Sequence, residues 1–150
     1  MGGLRYHDRK SLNFFVDKGD GESFFEGLKN LNKFICTEWV RQGNKDELYE
    51  RIGQRVLVIL DNASYHKRQD IAEQIEQALP NIQLCFLPPY SPGLNLIELL
   101  WHSCKEFIAH RLFTSVNQLR EIIDRLLNQG KLVINWNRKI RRKGNKVIAN

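Results

Sequence analysis

The run Arg55-Val56-Leu57-Val58-Ile59-Leu60-Asp61 constrains the fold more than any other stretch of the chain. Five apolar residues stand in a row, three of them β-branched, between two charges. That pattern predicts a strand buried on both faces, as in a parallel sheet, rather than the alternating pattern of a half-exposed strand. Burying each such side chain stabilises by roughly 1.5–3 kcal/mol before entropy is subtracted, so the strand should be central. Ile71, Ile75, Ala78 and Leu79 follow at helical spacing, and Pro80 ends that helix. Ile82-Gln83-Leu84-Cys85-Phe86-Leu87 then reads as a second buried strand. A strand, a helix and a strand in succession imply parallel pairing with helical cover.

The flanking segments extend this α/β pattern. Leu12, Phe14 and Val16 alternate along a strand, and Asp17-Lys18-Gly19-Asp20-Gly21 forms a turn. Ser23-Phe24-Phe25-Glu26 fits a capping box, and Phe24, Leu28, Leu31 and Ile35 carry a helix to about Val40. Residues 41–54 are polar and charged and read as a connection with room for one helical turn. Pro88-Pro89-Tyr90-Ser91-Pro92-Gly93 excludes regular structure, because three prolines fix φ and remove donors. Asn95-Leu96-Ile97-Glu98 opens a helix with Ile97, Trp101, Cys104 and Ile108 on one face, so Trp101 reads as core. A last helix starts near Ser115, where Gln118 completes a second capping box, and ends near Gly130.

Charge is unevenly placed. The net charge is +6, yet residues 131–150 hold seven basic residues and no acid, which leaves 16 basic and 17 acidic residues in the body. A basic tail suits phosphate binding that weakens with salt, although a solvated tail that binds nothing is an equal alternative. Cys36, Cys85 and Cys104 are too widely spaced for a zinc pattern and read as small core residues of a reducing compartment. No apolar run is long enough to span a bilayer and the start has no signal core, so a cytoplasmic, non-membrane protein is expected.

In open α/β sheets, ligands gather beyond the carboxyl ends of the strands. Asp61 ends the most apolar strand, and Glu98 lies in the first turn of the helix that follows the next strand and its loop. Two carboxylates at one end of a sheet repel unless a cation intervenes. Mg²⁺ takes hard oxygen ligands and keeps waters for a phosphate substrate. Both residues also have a bland role. Asp61 with Asn62 could cap the following helix, and Glu98 occupies the capping-box position after Asn95. His66 and Lys67, just past the strand, could contact DNA phosphate or form an exposed polar turn. Tyr65 and Tyr90 read as packing or loop anchors.

Two blocks then narrow the choice. Leu60-Asp61-Asn62-Ala63-Ser64-Tyr65-His66-Lys67 resembles the segment around the second catalytic Asp of mariner-superfamily bacterial insertion-sequence transposases. Leu87-Pro88-Pro89-Tyr90-Ser91-Pro92-Gly93-Leu94-Asn95-Leu96-Ile97-Glu98-Leu99-Leu100-Trp101 resembles the block that holds their third acid. The segment Gly21-Glu22-Ser23-Phe24-Phe25-Glu26 is similar to the family as well, and the likeness runs over roughly residues 2–128. The two acids have 36 residues between them here, about the spacing of the family. The resemblance implies a DDE-type endonuclease with a ribonuclease H-like mixed sheet flanked by helices. It also implies Mg²⁺- or Mn²⁺-dependent strand cleavage and strand transfer at transposon ends. Asp61 and Glu98 would be catalytic metal ligands for two ions in a complete site.

Three departures from the family are visible. Leu96 stands where the family has proline, which weakens the helix start modestly. Gly93 stands where it has a larger residue. The family's first catalytic Asp lies on a first, central strand, whereas these 150 residues start on what resembles the second strand, at Gly2-Gly3-Leu4-Arg5-Tyr6. Asp8, Asp17 and Asp20 fall in turns and end no buried apolar run. The expectation is therefore a truncated catalytic domain over residues 1–130 and a basic tail over 131–150, inactive alone. Its expected partners are double-stranded DNA, an upstream polypeptide supplying the first Asp, and a second copy. Arg138, Lys139, Arg141, Arg142 and Lys143, with His66 and Lys67, are the candidate DNA contacts. The expected setting is the cytoplasm of a bacterium, at the nucleoid. The alternatives are a non-catalytic module that binds DNA or a transposase and modulates transposition, and a related ribonuclease H-like nuclease.

Overall fold

The computed structural model describes residues 1–132, 140–142 and 145–147, the last two segments by their backbone. The chain is α/β, as the alternation of strand-like and helix-like segments predicts, and consistent with a ribonuclease H-like fold. It divides into two compact units, one of Met1 with Phe14–Tyr90 and one of Gly2–Asn13 with Ser91–Asn150.

The first unit is built around helix α1 (Gly21–Arg41), the short helix α2 (Tyr49–Ile52), strand β1 (Val56–Leu60), helix α3 (Gln69–Ala78) and strand β2 (Ile82–Phe86). The two strands pair in parallel, with Val56 opposite Ile82 and Leu60 opposite Phe86, and α3 supplies the crossover that parallel strands need. Leu87 N–H donates to Leu60 O at 2.8 Å and extends the ladder past the end of β2. The core is the set Phe24, Leu28, Ile71, Ile75, Leu79 and Ile82, against which Val56, Val58 and Leu60 pack. Among the described residues of this unit, helical cover thus lies on one face of the pair. Leu57 and Ile59 point away from it and are 57% and 59% exposed, and Cys85 and Phe86 are exposed too. The expected strand buried on both faces is therefore corrected, and so is a core role for Cys85. The apolar residues at alternate positions reach core, but no second layer covers the others among the described residues.

Helix α1 starts three residues earlier than the Ser23–Glu26 pattern predicts. Asp20 has extended backbone and its carboxylate accepts the Ser23 N–H at 2.9 Å, so it caps the helix in place of Ser23. Glu26 instead pairs with Lys29. The polar stretch 41–54 contains a 3₁₀ turn at Asp46–Leu48 and then α2. Buried Tyr49 anchors this stretch through its hydroxyl, 3.1 Å from Asn32 Oδ1, and through its carbonyl, which accepts from the amide of buried Asn81.

The second unit holds an antiparallel hairpin of β3 (Gly2–Leu4) and β4 (Ser11–Asn13), the helices α4 (Ile97–Ala109) and α5 (Val116–Leu127), and a backbone hairpin of β5 (Ile140–Arg142) and β6 (Asn145–Val147). Leu100, Cys104, Leu126 and Leu127 form its core, with Ile97, Trp101 and Ile123 packed against them, so Trp101 is the core residue its spacing implied. The Ser115 side chain accepts the Gln118 N–H and caps α5 as expected, while Gln118 Oε1 accepts from Thr114 N–H. Ser11 and Asn13 bond to Leu127 and Asn128, which fixes the hairpin on the end of α5. No helix among the described residues is long and apolar enough to cross a membrane.

Candidate functional site

Asp61 follows the last residue of β1, at the carboxyl end of the parallel pair, where helix-covered sheets present their ligands. Three local contacts shape this end of the sheet. The chain turns sharply because Asp61 Oδ1 accepts the Ala63 N–H at 3.1 Å, a turn that Asp favours through its short side chain. Asn62 Nδ2 reaches across to donate to Leu87 O at 2.5 Å and ties the exit of β1 to the exit of β2. A 3₁₀ turn at Ser64–Lys67 then brings His66 back beneath Asp61, with Nδ1 3.0 Å from Asp61 Oδ1. The Asp61 side chain remains 51% exposed, and among the described residues its Oδ2 has no hydrogen-bond partner. The cap of α3, the bland role open to Asp61, is not one it fills: that helix starts at Gln69 after Arg68, with no side-chain cap.

His66 is only 8% exposed, so the exposed-turn expectation for it is corrected. Its ring lies 4.4 Å from the Phe24 ring and 4.3 Å from the Tyr65 ring. Burial pushes the Tyr65 phenol above its ordinary pKa, and the Asp61 charge adds to that. Lys67 is exposed, with its ammonium 5.7 Å above the Phe86 ring. Arg68 grips Asp70 at 2.6 Å and Glu22 at 3.0 Å, linking the first turns of α3 and α1. The Arg68 bond holds the Asp70 carboxyl below the usual carboxylate range.

Glu98 lies in the first turn of α4, in the second unit, and is exposed. The capping box expected from Asn95 does not form. A 3₁₀ turn at Pro92–Leu94 leads into the helix, Leu96 occupies the cap position in helical conformation, and no side chain caps it. Asn95 instead serves the helix start through its carbonyl, which accepts the Glu98 N–H at 3.1 Å. The Glu98 carboxylate is left uncommitted among the described residues, near the positive end of a helix dipole. Arg138, Lys139 and Lys143 lie outside the described residues. Arg141 and Arg142 are placed by backbone alone, on β5.

Of Asp8, Asp17 and Asp20, two are engaged elsewhere. Asp8 sits in the β3–β4 loop and takes both arms of the Arg5 guanidinium, at 2.8 and 2.5 Å. Asp20 caps α1, and Asp17 is an exposed loop residue. Sequence reasoning had not found the Asn62 clamp or the inward turn of His66. The five-residue step from Asp61 to His66 was the available signal, but only a 3₁₀ turn makes that step point inward.

A family model described as DDE superfamily endonuclease matches residues 4–120. The chain belongs to the DDE superfamily endonucleases. No curated protein and no solved structure matches it. The match includes both Asp61 and Glu98. DDE endonucleases are in general divalent-metal-dependent enzymes that act on DNA. The donor chemistry here fits such ions at Asp61: a solvent-facing carboxylate with one oxygen free is a hard ligand of the right kind. The number of donors does not make a closed site, since no three His, Cys, Asp or Glu side chains gather among the described residues.

Proposed function

We propose that this DDE endonuclease chain is part of the catalytic domain of a mariner-like bacterial insertion-sequence transposase, with Asp61 and Glu98 as two of its three metal-binding carboxylates. Mg²⁺ or Mn²⁺, two ions in a complete site, would supply water activation and stabilisation of the leaving oxygen of a phosphodiester. The chain's own contribution is to present the Asp61 carboxylate at the mouth of the parallel pair, with Oδ1 held by the turn and Oδ2 free. That presentation, in a chain that matches the family, carries the reading. The substrate is double-stranded DNA at transposon ends, and the place of action is the nucleoid in the cytoplasm.

The 150 residues act as an incomplete centre in this reading. Two observations support that. Asp8 is held by Arg5, Asp20 caps α1 and Asp17 is an exposed loop residue, and no three His, Cys, Asp or Glu side chains gather among the described residues. Strand β1 also pairs along one edge only among the described residues, with β2. A free edge with apolar residues is a template for another strand. An upstream polypeptide that brings a strand ending in Asp, or a second copy of the chain, would fill it. The test is nicking of supercoiled plasmid with Mg²⁺ or Mn²⁺ in excess. No nicking above the Asp61→Ala variant is expected from the isolated chain. Robust cleavage that Asp61→Ala abolishes would overturn the inactivity.

A second reading, a DNA-binding module without catalysis, is favoured by the placement of charge, since residues 131–150 carry seven basic residues and no acid. Removing residues 133–150 keeps Leu132, which packs on the second core. Metal-independent DNA binding in a gel-shift assay that disappears with this truncation would select the module.

A further inference from the structure

Buried His66 is not absorbed by the reading above. Its Nδ1 lies 3.0 Å from Asp61 Oδ1, yet as placed the pair lacks hydrogen-bond geometry, and Nδ1 has no other partner. A buried ring nitrogen without a partner is costly, because it has given up water for nothing. The neighbourhood offers one remedy. Phe24 and Tyr65 present aromatic carbon to the ring, at 4.4 and 4.3 Å, and the polar oxygen within reach of Nδ1 is that of Asp61.

We propose that His66 is a positioning residue for Asp61: its Nδ1–H donates to Oδ1 and, with the Ala63 N–H, fixes the carboxylate so that Oδ2 faces outward to a ligand. The inference rests on the site role proposed for Asp61, but the hydrogen bond itself does not. Oδ1 then accepts two donors from two directions, one at 3.1 Å from the turn backbone and one from the ring. Two donors on one oxygen define the plane of a carboxylate that is otherwise half exposed and free to turn. Packing by Phe24, which is itself core, makes the ring a rigid support for this purpose. A ligating carboxylate held by such a partner binds metal more tightly, and losing the partner typically costs 10–100-fold.

Long-range ¹H–¹⁵N spectra of the full chain at mildly alkaline pH read the ring directly. The expected result is a proton on His66 Nδ1 that leaves this nitrogen in Asp61→Ala. A bare Nδ1 in the wild type overturns the proposal. The functional arm uses Mn²⁺ alone as probe, through paramagnetic broadening of the amides of residues 60–63. His66→Phe keeps the ring packing and removes the donor, and should need about ten times more Mn²⁺ for equal broadening. His66→Asn returns a donor near the Nδ1 position and should recover part of the loss. Equal Mn²⁺ dependence in wild type and His66→Phe overturns the positioning role. Absence of broadening even in the wild type removes the metal-ligand reading of Asp61, while the nitrogen spectra still decide the hydrogen bond. If His66→Phe does not fold, the wild type and the surface variant Asp61→Ala decide it by themselves.

Discussion

Asp8, read from the sequence as a turn residue rather than a ligand, is fixed in that role by its neighbours. Arg5 Nε and Nη2 donate to its two oxygens, and Lys10 N–H adds a third bond at 3.2 Å. The Arg5 hydrogen bonds hold the Asp8 carboxyl well below the usual carboxylate range. The sign of the consequence follows. A carboxyl with a depressed pKa in the fold stabilises the loop fully above its unfolded value of about 4. That contribution fades as pH falls below 4 through the depressed value. Acid titration of the β3–β4 loop amides should therefore show the loop intact at pH 5 and loosening only below about 4, and Asp8→Asn should remove that acid-sensitive step. A loop that loosens near pH 6 would place the controlling group elsewhere. The placement of Asp61 at the carboxyl end of β1 was legible by contrast, because it stands at the end of an apolar run. His66 was not, since nothing in its side chain states which way a 3₁₀ turn will face.

At the scale of elements, periodicity located every helix longer than two turns, and local chemistry moved the boundaries. Helix α1 starts at Gly21 because Asp20 outcompetes Ser23 as the cap, and α4 starts without a side-chain cap because a 3₁₀ turn leads into it. The position of α2 within residues 41–54 was unreadable: Tyr49-Glu50-Arg51-Ile52 has too few residues to display a period, and its order comes from buried Tyr49. Its exit into β1 depends on Gly53. The Gly53 N–H donates to Tyr49 O at 2.8 Å, and a β-carbon there would overlap that carbonyl oxygen and stand 2.5 Å from Tyr49 Cδ2. The φ of −68° is open to any residue, so the demand is one of space. Gly53→Ala should destabilise the protein by about 1–3 kcal/mol, the usual cost of forcing atoms into a packed site. Urea denaturation checks this, and an unchanged midpoint would show that Tyr49 yields without loss.

For the whole molecule, the misread feature was the burial of β1. An unbroken apolar run predicts cover on both faces, and the structure supplies α1 and α3 on one. The run is consistent with a strand meant for a larger sheet: its outer positions, Leu57 and Ile59, are as apolar as its inner ones, and its second edge has no partner among the described residues. A surface of that kind promotes association. The doubly substituted chain Leu57→Lys, Ile59→Lys tests the point without touching the core. If the face is open in the isolated chain, the two lysines should shift sedimentation velocity profiles from associated species toward monomer. They should change unfolding stability by no more than about 0.5 kcal/mol, the range of ordinary surface substitutions. If the face is covered, each lysine places a charge against apolar neighbours, and the loss should reach several kcal/mol, as for a buried unpaired charge. A polypeptide that pairs with the open edge of β1 and covers this face would turn the first outcome into the second, so the same variant measured with and without such a partner reads whether the face is an interface.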